Sequence, residues 1–493
     1  MVAASTLPVT AGVGLARRLA VSAASQLFAR SVHLVLNVAT SVMIVRYLGQ
    51  GGYGDYAKVV IVVGWTSLVG ELGLPKVALR IAAEEGARVG DVIATVTVLR
   101  LLFSVVAAGV TQLALTAVHP SAAVRAAAAV ACLAFVVEAF LSCVIAFQVR
   151  LQQQYEGLVR VAMEVVELAA LVAVMAAGGG IVALVGAPIV AGSFGVVVAR
   201  RIAKRLSHDR ASFDADLARR LLRLTVPVVP GTLLGVLILK FDGMMVAALG
   251  TRADAGAYVA AFQPVEYVLL ALGMVVAYPF LPVLVTTYRA DPPAFRSTYS
   301  RATEFLIAIT LPVAVVAAVV GSPLVHMVYG DGWSASVRPL QILSCALVFM
   351  AISGWHGFVL LAGDHQLDSL RYGALALAVS LVACIALIGR LGPAGGAWAA
   401  LVANLAGTVY STKLLRLRMS ARFPYRGAAR IVAANAALMA ALVCLRQAGL
   451  AWPLLIAVVV PLYATSLWAL GALTPSNVRQ MLGRPNAVIR AAS

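Results

Sequence analysis

The chain is a succession of predominantly apolar runs, each close to the roughly 20 residues that a helix needs to cross the hydrocarbon core of a bilayer. Fourteen can be marked, near 21–48, 56–75, 92–118, 122–149, 157–177, 180–200, 221–250, 257–286, 302–328, 338–362, 370–390, 394–415, 427–449 and 452–473. A soluble fold has nowhere to bury so many. The composition agrees: 62% of residues are hydrophobic and 12% are charged, with a mean hydropathy of +0.96, where an average soluble domain is about 25% charged. The chain therefore reads as an all-α polytopic membrane protein of about fourteen transmembrane helices.

Its formal charge of +18 would point to nucleic acid if the arginines were clustered in a soluble domain. They lie instead in short connections between apolar runs, so no nucleic-acid partner is expected. Threading the runs alternately through a membrane puts 28 basic residues on the side of the termini and 7 on the other, with Arg30, Arg100 and Lys240 inside spans. By the positive-inside rule both termini are cytoplasmic, and in a bacterium the membrane is the inner one. The first 16 residues lack the pattern of a cleaved secretory signal. The first span is expected to stay as an anchor. The five cysteines, Cys132, Cys143, Cys345, Cys384 and Cys444, all lie in apolar runs without metal-type spacing, which suggests packed thiols. No metal site and no cofactor are expected.

The first span carries a polar stripe. At about 100° per residue, Ser22, Gln26, Arg30, His33, Asn37, Thr40 and Ser41 fall within roughly one 100° sector. Placing an arginine near mid-bilayer costs about 2.5–3.5 kcal/mol on insertion scales, so the stripe is expected to face inward, as a wall of a hydrated, cationic cavity.

Two short echoes divide the chain. MIVRYLGQGGYGDYA (43–57) matches MVAALGTRADAGAYVA (245–260) in its apolar run, Leu-Gly, polar turn and Gly-x-Tyr, and GGGIVALV (178–185) matches GGAWAALV (395–402). Both members of each pair fall on the same side of the membrane, which makes the repeat parallel, and transporters with such repeats place their substrate between them. The expected organisation is an N-terminal lobe of six spans (1–200), a charged cytoplasmic linker (201–223), a second six-span lobe (224–418), and two further spans with a tail (419–493). The linker, RRIAKRLSHDRASFDADLARRLLR (200–223), reads as a hinge or a solvated connector facing lipid headgroups.

These residues also carry a family resemblance. The run Arg46-x-Leu-Gly-x-x-x-Tyr-Gly-x-Tyr56, the following Leu72-Gly-Leu-x-x-x-x-x-Arg80, and Asp242, Leu249-Gly250, Gly256-x-Tyr258, Pro279 and Pro282 are similar to the polysaccharide-export, O-antigen-flippase branch of the multidrug/oligosaccharidyl-lipid/polysaccharide exporter superfamily. Tyr329-Gly-Asp-Gly-Trp333, Leu340-Gln-Ile-Leu343 and Gly392-Pro-Ala-Gly-Gly-Ala-Trp398 match landmarks of its second half. The resemblance covers most of residues 20–418. It implies two six-helix lobes around a central cavity, with alternating access carrying a lipid-linked saccharide from the cytoplasmic to the outer leaflet. A pyrophosphate cannot cross hydrocarbon unneutralised, and arginine and lysine are its usual partners.

Lys240 lies ten residues before Gly250, about 15 Å deep at about 1.5 Å per residue, and is the first candidate cargo contact. A cross-helix salt bridge is the alternative. Asp242 is two positions on and cannot pair with it locally; it is a candidate for coupling or gating. Arg30 is the second cargo candidate unless it snorkels to the inner interface, and His33 and Asn37 complete the cavity set. Arg46 reads as an outer-end anchor or gate. Arg100 is expected to snorkel. Glu138, near the midplane, could carry a coupling proton, and Glu71 could pair with a cavity arginine or with Lys76. Glu164 and Glu167 share a face with Arg160 and read as a packing stripe.

No catalytic residues are assigned. A membrane enzyme working on nucleotide sugars would need a large soluble portion, and the chain contains no Gly-x-x-x-x-Gly-Lys-Ser/Thr phosphate loop for an ATP-driven pump. The expected protein is a monomeric secondary flippase whose partners are the lipid-linked glycan, membrane lipids and other polysaccharide assembly proteins. A peptidoglycan-precursor flippase and an ion-coupled multidrug antiporter are the alternatives.

Overall fold

The computed structural model describes the backbone of residues 9–84, 88–116, 120–150, 152–206, 211–227 and 229–469, and side-chain environments from residue 31 onward except at positions near 230–239 and 275–282. The described residues are helical throughout, with no strand among them. They pack as two compact units, residues 1–256 and 257–493.

In the first unit, α1 (Val9–Glu71) runs through the first two expected spans and is broken at one point, Gly49, with φ 62° and ψ −179°. Only glycine takes that backbone cheaply, so the Leu-Gly turn read in the sequence is a kink in the helix. The chain then turns through Leu72 and Gly73, both at positive φ, into the short amphipathic α2 (Leu74–Ala82). After α3 (Val89–Thr116), the fourth span is segmented into α4 (Ala122–Ala131), α5 (Leu133–Phe140), a 3-10 turn at Leu141–Val144, and α6 (Ile145–Val149). Next come α7 (Gln153–Ala176), the single turn α8 (Ile181–Leu184) and α9 (Ala187–Leu206).

The charged stretch after α9 is not a bare connector. It contains α10 (Ala215–Thr225), capped by the Asp214 carboxylate, which accepts from the amides of Asp216 and Leu217. The cap residue supplies the acceptor that the first helical amides lack. The apolar face of α10 presents Ala218 and Leu221 to a core formed with Leu74, Val77, Ala78 and Ile81 of α2 and Val92, Val96 and Leu99 of α3. Its polar face binds Glu84 through both oxygens of the carboxylate, with Arg220 Nη2 at 2.8 and 3.0 Å. Ser212 donates from its amide and hydroxyl to Asp91, each at 2.9 Å. The unit closes with α11 (Val229–Leu249) and the start of α12 (Arg252–Leu272).

In the second unit, α12 passes through a π-helical turn at Gly273–Ala277 into α13 (Tyr278–Ala290). The long α14 (Pro292–Tyr329) contains Pro312 and Pro323, which a membrane helix accommodates because neighbours re-satisfy the freed carbonyls. A 3-10 turn (Asp331–Ser336) leads to α15 (Val337–Ala362), α16 (Gln366–Leu391) and α17 (Pro393–Met419). Glycine sets how closely α17 approaches its neighbour: a Cβ on Gly395 would stand 2.4 Å from the Leu387 carbonyl oxygen. Small residues at such crossings replace the hydrophobic drive that lipid removes. The last two helices, α18 (Tyr425–Gln447) and α19 (Trp452–Ala469), are seated on α14. Ile431, Ala434, Leu438 and Leu442 of α18 pack with Ile307, Val315 and Val319, the Tyr463 hydroxyl donates to the Ala308 carbonyl at 2.9 Å, and Arg446 donates to the Val319 carbonyl.

Ten helical stretches among the described residues are long and apolar enough to cross a membrane. One of them, Ser31–Ala82, holds both spans flanking Gly49, and the remaining three expected spans fall on α7, α11 and α17. The protein is an all-α polytopic membrane protein. Of the cysteines expected to be packed, Cys132, Cys143 and Cys384 are buried, but Cys345 and Cys444 are exposed.

Candidate functional site

The polar stripe of α1 is described from His33 onward; the side chain of Arg30 lies outside the described residues. His33 Nδ1 sits 2.6 Å from Glu164 Oε1 on α7. Glu164 is therefore the acceptor for the stripe, not a member of an intrahelical row: Arg160 pairs with Glu156 at 3.8 Å. Glu167, one turn beyond Glu164, lies in the field of both His33 and Glu164. Asn37 is half-buried on the same stripe, and Arg46, three residues before Gly49, is exposed. Beside it the Tyr47 hydroxyl donates to the Gly179 carbonyl at 2.9 Å.

Beyond the Gly49 kink the two Gly-x-Tyr motifs meet. A Cβ on Gly54 would lie 2.0 Å from the carbonyl oxygen of Arg252, and one on Gly256 would lie 3.1 Å from the Gln50 carbonyl oxygen. Arg252 Nη1 reaches Asp55 Oδ2 at 3.4 Å. Lys58 is buried within the fields of Asp55 and Arg252.

Lys240 is half-buried on α11. Its carbonyl accepts from Trp65 Nε1 at 3.3 Å, and the Trp65 ring lies 6.1 Å from that of Phe241, so α11 is held against the second half of α1 at the depth of the lysine. Asp242, two residues on, is buried.

The largest departure from the sequence reading is Arg100. It does not snorkel: its side chain is 6% exposed on α3, with Nη2 3.3 Å from Glu71 Oε1 and 3.8 Å from Glu138 Oε2, and Nη1 donating to the Ser142 hydroxyl at 3.1 Å. Glu71 and Glu138, separate candidates in the sequence, share this guanidinium. The sequence signal was present as one basic residue inside an apolar run, but its partners lie on helices α1 and α5.

In the second unit, sequence reasoning missed two polar groups. His356 is fully buried on α15 between the Tyr299 hydroxyl (Nε2, 3.1 Å) and the Ser411 hydroxyl (Nδ1, 2.8 Å). Asp368, buried at the start of α16, takes Arg371 at 2.9 Å, Arg418 at 3.3 Å and His365 at 3.6 Å. A cavity of about 260 Å³ lies between α12, α14, α15 and α19, walled by apolar residues such as Pro264, Val316 and Val459. Among the described residues no cluster of histidine, cysteine, aspartate or glutamate could hold a metal ion.

The described residues thus form an apolar helical bundle with charges paired between its helices. A family model described as polysaccharide biosynthesis protein matches residues 43–338, more than half of the chain, and the chain belongs to that family. Among solved structures, the fold is that of the lipid II flippase MurJ in an inward closed conformation, at a TM-score of 0.74 and 13% identity, covering 94% of this chain and 100% of the other. It is also similar to an inward-facing multidrug resistance MATE family transporter of the MOP superfamily, at a TM-score of 0.62 and 14% identity over 78% of this chain and 94% of the other. The Vibrio cholerae MATE transporter VcmN in its bent form follows at 0.52 and 19%, covering 83% and 98%. No curated protein sequence matches.

Proposed function

We propose that the protein is a secondary flippase that moves a polyprenyl-pyrophosphate-linked oligosaccharide across the bacterial inner membrane, by alternating access, for surface polysaccharide biosynthesis. The observation that carries the reading is Lys240, a half-buried cation in an apolar helix of a chain that belongs to a polysaccharide biosynthesis family. An ammonium in apolar surroundings is a strong point donor to a pyrophosphate, which it would bind through charge-assisted hydrogen bonds. Lys240 and Arg30 contact the pyrophosphate; Asn37 and His33 offer hydrogen bonds to sugar hydroxyls. Both termini face the cytoplasm, which is the side where the lipid-linked precursor is assembled. Other polysaccharide assembly proteins supply and consume the cargo.

A second reading, a peptidoglycan-precursor flippase, is favoured by the likeness to MurJ. Both readings share the pyrophosphate chemistry and differ in the glycan. Deleting the gene and analysing extracted polyprenyl-linked saccharides by mass spectrometry separates them. Accumulation of one lipid-linked surface glycan, reversed by the wild-type gene and not by Lys240→Ala at equal protein level, supports the proposal. Accumulation of the peptidoglycan precursor replaces it with the second reading, and an unchanged lipid pool overturns both.

A further inference from the structure

The Arg100 cluster has three properties that cargo binding does not use. The guanidinium is buried, yet the two carboxylates it serves have side chains 52% and 53% exposed. An ionised group facing hydrocarbon is costly, and each carboxylate keeps a side that the protein leaves uncovered. The cluster also counts two carboxylates against one buried guanidinium. Finally, Arg100 Nε is buried without an acceptor, so the guanidinium has a donor in reserve for a carboxylate that moves toward it.

We infer that Arg100, Glu71 and Glu138 form one proton-binding site, in which the two carboxylates hold a single exchangeable proton around a fixed guanidinium. Two like charges near each other and one opposite charge favour a state in which one carboxyl is ionised and paired while the other is neutral. The proton comes from water on one side of the membrane, adds to a carboxylate oxygen, and leaves to water when the guanidinium changes partner. The unequal distances, 3.3 Å to Glu71 and 3.8 Å to Glu138, place Glu138 as the carboxyl that carries the proton while Glu71 keeps the pair. That this proton is the coupling ion rests on the transport reading above; its presence in the cluster does not.

Sodium fits the same place poorly. The guanidinium occupies the position between the carboxylates, and the Ser142 hydroxyl that would add a ligand is engaged by Arg100 Nη1. The other charges around the cluster can be named. Arg160 of α7, paired with Glu156, acts on Glu138 through its field alone, Arg200 of α9 is turned onto the Phe140 ring at 4.6 Å, and among the described residues Lys76 and Arg80 of α2 make no contact with it. None supplies a second full counter-charge.

The test uses full-length protein in native-lipid vesicles treated with dicyclohexylcarbodiimide, which adds to protonated carboxylic acids in apolar surroundings, with the modified positions read by peptide mass spectrometry. The expected result is an adduct at Glu138 whose yield falls about tenfold or more as the pH is raised, with no protection by sodium at constant pH. Glu71→Gln leaves Arg100 to a single carboxylate, which it then holds ionised, so the adduct at the intact Glu138 falls about tenfold. Protection by sodium would overturn the proposal in favour of a metal-cation site. Absence of any adduct at Glu71 or Glu138 would make the cluster a static ion pair, and labelling of Glu138 indifferent to Glu71→Gln would make the two carboxyls independent. A pH-dependent adduct in a protein whose deletion leaves the lipid-linked pool unchanged would sink the flippase reading and leave the proton site standing.

Discussion

Gly54 and Gly256 meet backbone against backbone: a Cβ on Gly256 would stand 3.1 Å from the Gly54 amide nitrogen and 3.2 Å from its Cα. The two residues occupy the same place in the two Gly-x-Tyr echoes, so the repeat brings its own equivalent positions into contact. The approach depends on neither residue having a side chain. A methyl at Gly54 would fall 2.0 Å from the Arg252 carbonyl oxygen, and only a backbone shift could admit it.

Gly54→Ala is therefore expected to cost about 1–3 kcal/mol, the range for overpacking a tight contact, and to lower complementation of a deletion strain at equal protein level. Gly51→Ala is the control, since a Cβ there meets nothing within 4 Å. Equal behaviour of the two variants would remove the crossing from the account.

The His33–Glu164 contact at 2.6 Å ties α1 to α7 along the polar stripe. Hydrogen bonds to charged groups contribute about 1.5–3 kcal/mol. His33→Ala and Glu164→Ala should each lower the thermal midpoint of the purified protein, and the double variant should be no worse than the poorer single one. Additive losses would show that the pair does not act as a unit.

The linker helix α10 gives a contrast between apolar and ionic docking. Leu221 is fully buried against α2 and α3, so Leu221→Ala should cost about 2–5 kcal/mol locally and open residues 200–223 to trypsin. Glu84→Gln breaks only the half-exposed pair with Arg220, which is worth about 0–1 kcal/mol, and should leave the cleavage rate near that of the wild type.

His356 makes a fourth case. Replacing it with leucine strands the Tyr299 hydroxyl in a buried site, at about 1–3 kcal/mol for the unsatisfied group, while the Ser411 hydroxyl keeps the Thr408 carbonyl as its acceptor. Tyr299→Phe removes a single bond and should cost about 1 kcal/mol. Thermal melts in detergent would rank the two, with His356→Leu the lower.

The fold was largely legible because apolar run length and charge alternation are local properties. The Leu-Gly turns and the Gly-x-Tyr echoes were visible too, although the first, expected as a turn between two spans, is a kink at Gly49 within α1. What the sequence hid were pairings between helices. Arg100 and Glu138 stand 38 positions apart and His33 and Glu164 stand 131 apart, and no periodicity connects such partners. Arg100 was read as snorkelling because a long basic side chain in an apolar run usually does so; its burial follows from two carboxylates on other helices. The amphipathic character of α10 was present in ADLARRLLRLT, but its charge concealed the apolar face that docks it.

The most direct test of the central claim is translocation itself. The full-length protein would be reconstituted into liposomes with the lipid-linked saccharide extracted from the deletion strain, and the fraction of glycan reaching the opposite leaflet would be read by a membrane-impermeant glycosidase or lectin. The account predicts protein-dependent transfer that Lys240→Ala reduces by about tenfold or more, the loss of one charge-assisted phosphate contact. Transfer at the rate of empty liposomes, or transfer unaffected by Lys240→Ala, would contradict it.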